Sequence, residues 1–143
     1  MKIKSKCLVA ALALLLVTGC ATGLSYQEAA STIPTVPSDQ GRIYIYRTAV
    51  FATGVQPVVR VNGEVVGRAR PRGFFYVDRL PGTYEITTAT EVEGSMTVFL
   101  EAGEVNYVRL DVQMGLLVGR ITPLLVDEVV GREEITRTNY TGE

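Results

Sequence analysis

The sequence predicts an all-β domain, an antiparallel β-sandwich of about seven to eight strands with room for one short C-terminal helix. Three observations carry this. From Gly41 onward, side chains alternate at period two through runs rich in β-branched and aromatic residues. Turn signals separate these runs every ~8–12 residues. The glycines stand singly, mostly at those turns, with no phosphate-cradling cluster. Strands of that length and spacing form a sandwich or a barrel.

The elements follow in order. Arg42 to Arg47 (RIYIYR) alternates and reads as a strand. Val58 to Val61 is the next, and Asn62-Gly63 supplies the positive φ angles of a type I′ hairpin turn, so Glu64 to Arg68 folds back antiparallel. Gly73 to Leu80 is a strand, Pro81-Gly82 a turn, and Thr83 to Thr90 a strand with Tyr84 and Ile86 on one face. Glu93-Gly94 turns the chain into Met96 to Leu100. Ala102-Gly103 precedes Val105 to Val112, and Ile121 to Val126 is the last strand. Asp127 to Arg137 suits a closing helix capped by Asp127, but Gly131 interrupts it and Val129-Val130 serves a strand equally.

Gly41-Arg42-Ile43-Tyr44-Ile45-Tyr46-Arg47, then Val61-Asn62-Gly63 with Gly67, Leu80-Pro81-Gly82-Thr83-Tyr84, and Ala102-Gly103 with Tyr107 form an ordered set. The set resembles the signatures of the bacterial lipoprotein family called domain of unknown function 2846, from Gly41 to Ile135. Val58 to Thr87 also resembles the PEGA repeat, a small β-domain with a Val-x-Gly turn followed by Pro-Gly. Both resemblances imply a transthyretin-like sandwich, and neither supplies a catalytic residue.

The N-terminus indicates location. Lys2, Lys4 and Lys6 precede an apolar stretch from Leu8 to Val17, which closes in Val17-Thr18-Gly19-Cys20. Charged start, short apolar middle and small residues make a secretory signal. The stretch is about half the ~20 residues that span a bilayer. The tetrapeptide resembles the lipobox of bacterial lipoproteins. That resemblance implies cleavage between Gly19 and Cys20, acylation of the Cys20 thiol, and anchoring to a membrane through it. Ala21 after the cysteine favours the outer membrane by the same resemblance, with the domain facing the periplasm; the inner membrane and the cell surface stay open. Residues 1–19 are thus read as the signal, 20–40 as a flexible tether, 41–137 as the domain and 138–143 as a tail. Within the tether, Ser25 and Glu28 have the spacing of a capping box for a short helix from Tyr26 to Thr32.

Composition excludes much. Once the leader and its three lysines leave, eleven arginines face fifteen acids, a net charge of −4. Mild acidity argues against a nucleic-acid partner. There is no histidine or tryptophan, and apart from Cys7 in the leader the only cysteine is Cys20. Histidine-based triads are therefore unavailable, borderline metals lack their preferred ligands, and no cofactor is expected.

Carboxylate pairs are the surviving catalytic option. Glu91 and Glu93 would share a strand face at roughly 6–7 Å, although beside Gly94 they read better as solvated charges at a hairpin tip. Asp127-Glu128 and Glu133-Glu134 lack calcium-loop spacing. Arg68, Arg70 and Arg72 lie between two strands and form a candidate anion-binding loop, read more simply as solvated charge offset by Glu64 and Asp78. Met114 to Gly119 is an apolar run framed by glycines, either an exposed docking patch or, by preference, cover for one end of the sandwich. Tyr44, Tyr46, Tyr76, Tyr84 and Tyr107 suit core and rim packing better than a sugar platform.

The function expected is therefore a non-catalytic outer-membrane lipoprotein, binding or scaffolding through an envelope protein partner. Contact with glycan or anionic lipid is the alternative, and a carboxylate-dependent hydrolase is the alternative of another class.

Overall fold

The computed structural model describes residues 23–142. Cys20 and the cleavage point after Gly19 lie outside the described residues. The elements are α1 (Tyr26–Ala30), β1 (Gly41–Tyr46), β2 (Val58–Val61), β3 (Glu64–Arg68), β4 (Gly73–Arg79), β5 (Gly82–Ala89), β6 (Glu93–Leu100), β7 (Val105–Met114), β8 (Gly119–Val126), α2 (Glu128–Ile135) and β9 (Asn139–Tyr140). The strands form a five-stranded sheet, order β8-β7-β1-β4-β9, and a four-stranded sheet, order β3-β2-β5-β6. The protein is an all-β sandwich, as its periodicity predicts.

Alternation along each strand builds the core. Ile43, Ile45, Phe75, Val108, Leu110 and Ile121 point from the five-stranded sheet onto Val59, Val61, Ile86, Val98 and Leu100 of the other. The opposite residues of the five-stranded sheet are also covered. Tyr46, Phe74 and Tyr107 pack with Ala29 of α1 and Ile135 of α2 in a second cluster. Strand β1 is thus buried on both faces, which explains why its polar-looking positions are tyrosines.

Several expectations change. The 20–40 stretch has the composition of a tether, but its part from Leu24 to Ile33 is docked on the domain. Ser25 caps α1 in a box with Glu28, Ala29 is buried, and Tyr26 N–H donates to Thr138 O at 3.0 Å. Apolar Tyr26, Ala29 and Ile33 bury against the aromatic face of the sheet, and this contact overrides the linker-like composition. The 138–143 tail likewise contains a strand: β9 pairs with β4, Gly73 opposite Asn139 and Phe74 opposite Tyr140. Two pairings, β1 with β7 and β4 with β9, are parallel rather than antiparallel. Strands so far apart in sequence leave no turn signal to reveal their direction.

Locally, Asn62 and Gly63 have φ of 49° and 82°, the paired positive values of the predicted turn. The next hairpin reverses at Thr90–Val92, with Ala89 opposite Glu93, two residues earlier than expected. Residues 128–135 are helical, with Asp127 as cap. Gly131 does not break this helix. A Cβ there would overlap the Tyr107 ring, so glycine lets α2 lie close against the sheet.

Register fixes what shares an end of the sandwich. Strand β1 ends at Tyr46, level with Phe74 of β4 and Arg109 of β7. At this end lie the 47–57 loop, the arginine loop before Gly73, the Thr90–Val92 turn and the β7–β8 tip. The turn at Asn62-Gly63, the β4–β5 link at Leu80-Pro81 and the turn at Gly103 lie at the opposite end.

Candidate binding surface

The end marked by Tyr46 carries two exposed apolar loops, each held by a polar side chain. The first is the β7–β8 tip. Strand β7 runs to Met114 and β8 starts at Gly119, so the apolar run forms the turn itself. Met114, Leu116 and Leu117 are 88%, 87% and 87% exposed. The run does not cover the sandwich end, as preferred from sequence; it projects from it, because the β7–β8 register continues past Arg109 to Met114.

Glu91, from the neighbouring hairpin, organises this tip. Its carboxylate accepts from the backbone N–H groups of Leu116, Leu117 and Val118 and lies 3.8 Å from Arg120 Nε. It is therefore a loop anchor rather than the freely solvated charge expected. The amides of Val118 and Leu117 hold its carboxyl below the ordinary carboxylate range. A lowered folded pKa contributes order above the ordinary value and loses it as pH falls through the lowered one. The tip should thus stay closed at neutral pH and loosen only in acid, below 4.5, the ordinary value of this carboxyl. Glu91→Gln should raise hydrogen exchange at Leu116, Leu117 and Val118 several-fold at neutral pH, leaving strand amides unchanged. Unchanged exchange at all three would contradict the anchoring role.

The second loop, 47–57, exposes Val50 (57%) and Phe51 (54%). Its organiser is Arg47, completely buried. Nη1 donates to Val55 O at 2.7 Å and Ala69 O at 2.8 Å, and Nη2 to Phe51 O at 2.6 Å and Ala52 O at 3.0 Å. No carboxylate faces this guanidinium among the described residues; four carbonyl dipoles solvate it instead. Burial lowers its pKa, but a guanidinium stays charged in proteins. Sequence reading missed both organisers: Arg47 looks like a strand terminus, and Glu91 like a turn charge.

Arg68, Arg70 and Arg72 are all exposed. Arg68 ends β3 and donates to Gln56 O at 3.3 Å. Arg68 and Arg70 line an open depression of about 500 Å³ with Val58, Val65, Val66 and Thr141; Arg72, at φ 51°, is outside its lining. The acids expected to offset them are engaged elsewhere. Asp78 takes a two-point contact from Arg42, at 2.7 and 2.8 Å, beneath which lies the Tyr76 ring at 4.1 Å. Glu64 pairs with Arg79 at 3.2 Å. Among the described residues no carboxylate pairs with Arg68, Arg70 or Arg72.

The tyrosines divide. Tyr44 and Tyr107 stack at 5.3 Å in the cluster under the helices, and burial pushes the Tyr107 hydroxyl up to about 12. The Tyr46 hydroxyl donates to Glu134 at 2.7 Å. Glu134 also pairs with Arg109 at 2.9 Å, tying α2 to β7. Asp127 caps α2, Glu128 pairs with Arg132 and Glu133 with Arg137, so these acids serve the helix. Among the described residues no group of three or more His, Cys, Asp or Glu side chains is placed to hold a metal. No helix among them is long and apolar enough to cross a membrane.

A family profile described as Protein of unknown function (DUF2846) matches residues 37–120. That span starts before β1 and reaches β8. It includes Arg47, Glu91 and both apolar loops, whereas α1, α2 and β9 lie outside it. No curated protein and no solved structure matches the chain. The profile covers more than half of the chain, and the protein therefore belongs to the DUF2846 family.

Proposed function

We propose that this protein is a non-catalytic binding module of the bacterial envelope, lipid-anchored through Cys20 to the outer membrane and presenting one end of its sandwich as its contact surface to another envelope component. The observation that carries the reading is the pair of exposed apolar loops, 47–57 and 114–119, held in place by Arg47 and Glu91. Solvent-exposed apolar tips gain nothing for a free domain, and fixed apolar projections mark contact surfaces. The disposition of the acids supports the same reading. Glu91 is committed to three amides, and Glu93 opens β6 as an exposed residue beside it. Held on those amides, Glu91 is not free to work with Glu93 as an acid–base pair.

A photo-crosslinking residue at Leu117 in intact cells should give adducts, and the same residue at Leu80, 57% exposed at the opposite end, should give few. Equal yields from the two positions would sink the proposal that this end is the contact surface.

A further inference from the structure

The apolar end carries two further features. Arg68, Arg70 and Arg72 lie there, exposed and without a carboxylate partner among the described residues. The N-terminal chain also emerges there. Leu24 O accepts from Tyr140 N–H at 2.7 Å, and Tyr140 is paired with Phe74, level with Tyr46.

We propose that the occupant of this surface is the bilayer itself: the 47–57 and 114–119 loops dip into the headgroup–acyl boundary while the arginines meet anionic headgroups. The inference rests on the reading that Cys20 is acylated.

Geometry and charge both support a lipid occupant. Two residues, Ala21 and Thr22, separate Cys20 from Gly23, so over three residue steps the anchor reaches at most ~10 Å from the described chain. Met114 stands five residues beyond Arg109 on β7, about 17 Å past the level of Tyr46. An anchor so short, leaving the same end as the tip, brings that end to the membrane once the domain tilts. Leu116, Leu117, Met114, Phe51 and Val50 are then the exposed side chains nearest the acyl region, the apolar complement an interfacial contact requires. Of the acids at this end, Glu91 lies against Arg120, Asp111 and Glu134 pair with Arg109, and Glu133 pairs with Arg137, leaving Glu28 and Glu93 against Arg68, Arg70 and Arg72. Exposed arginines at the same end as an apolar tip suit an anionic lipid surface despite the acidic mean charge of the chain. A protein partner or a second copy would need no such coincidence with the anchor.

The test uses the acylated protein in vesicles of phosphatidylethanolamine and phosphatidylglycerol, with part of the lipid brominated in its acyl chains. The chain contains no tryptophan, so Leu117→Trp and Leu80→Trp each introduce a single reporter. Bromolipid should quench the Leu117→Trp variant several-fold more than the Leu80→Trp variant, with a blue-shifted emission. Replacing Arg68, Arg70 and Arg72 by Gln in the Leu117→Trp background should reduce that quenching. Vesicle-associated protein whose two reporters are equally unquenched would overturn the inference and leave the anchor standing. Protein that fails to float with vesicles at all would overturn the anchoring reading and the inference together. Adducts from position 117 to one protein, with no bromine quenching, would replace the bilayer by that partner.

Discussion

Arg47→Met should destabilise the domain by about 3 kcal/mol or more, although methionine fills much of the same stem volume. The guanidinium is buried and bonds four carbonyls, of Val55, Ala69, Phe51 and Ala52. Each buried acceptor left without a donor costs ~1–3 kcal/mol. Water can reach some of them, because three of the four bonds are only partly buried, which keeps the total near the lower part of the sum. Arg47→Lys should recover little of the loss. An ammonium offers three donors from one point, whereas the fork reaches the 47–57 loop and Ala69 together. Denaturant unfolding measures the loss, and exchange at the amides of the 47–57 loop should rise more than in any strand. A shift under 1 kcal/mol in Arg47→Met would mean that the loop does not depend on this clamp.

Phe74→Ala should cost ~3–5 kcal/mol, the usual range for emptying a buried aromatic position. Phe74 is fully buried and its ring lies 5.4 Å from Tyr26 and 5.4 Å from Tyr140. It holds α1 and β9 to the sheet at once. Truncation should therefore free residues 24–33 and 139–141 first, seen as rapid proteolysis of both termini while β1, β7 and β8 stay protected. Simultaneous loss of protection throughout would show that the termini are integral to the core rather than a docked layer.

The contrast between these two residues shows what the sequence could reveal. Strands with local signals were legible: Ile43 and Ile45 alternate with tyrosines, and Asn62-Gly63 specifies its own hairpin. Pairings between distant segments were not, since nothing local to Arg42–Tyr46 specifies a parallel neighbour at Val105–Arg109. The Asn139–Tyr140 strand is too short to show a period. The linker-like composition before Gly41 concealed three apolar residues, Tyr26, Ala29 and Ile33, that dock because the five-stranded sheet offers a second aromatic face. For the surface, the apolar Met114–Gly119 run stood out, but placing it at a projecting tip required the β7–β8 register. Arg47 and Glu91 act on backbone groups, whose positions only the fold determines. The alternation of Arg68, Arg70 and Arg72 between two strands is legible in the sequence, but that no carboxylate among the described residues pairs with them depends on Arg42 and Arg79 holding Asp78 and Glu64.

The central claim, a binding module fixed to a membrane through one cysteine, is tested most directly by mass spectrometry of the N-terminal peptide from cells fed a clickable palmitate analogue. The account predicts a mature chain that begins at Cys20, carries the fatty-acid label and loses it in Cys20→Ser. A mature chain that begins elsewhere, or an unmodified Cys20 thiol, would contradict it.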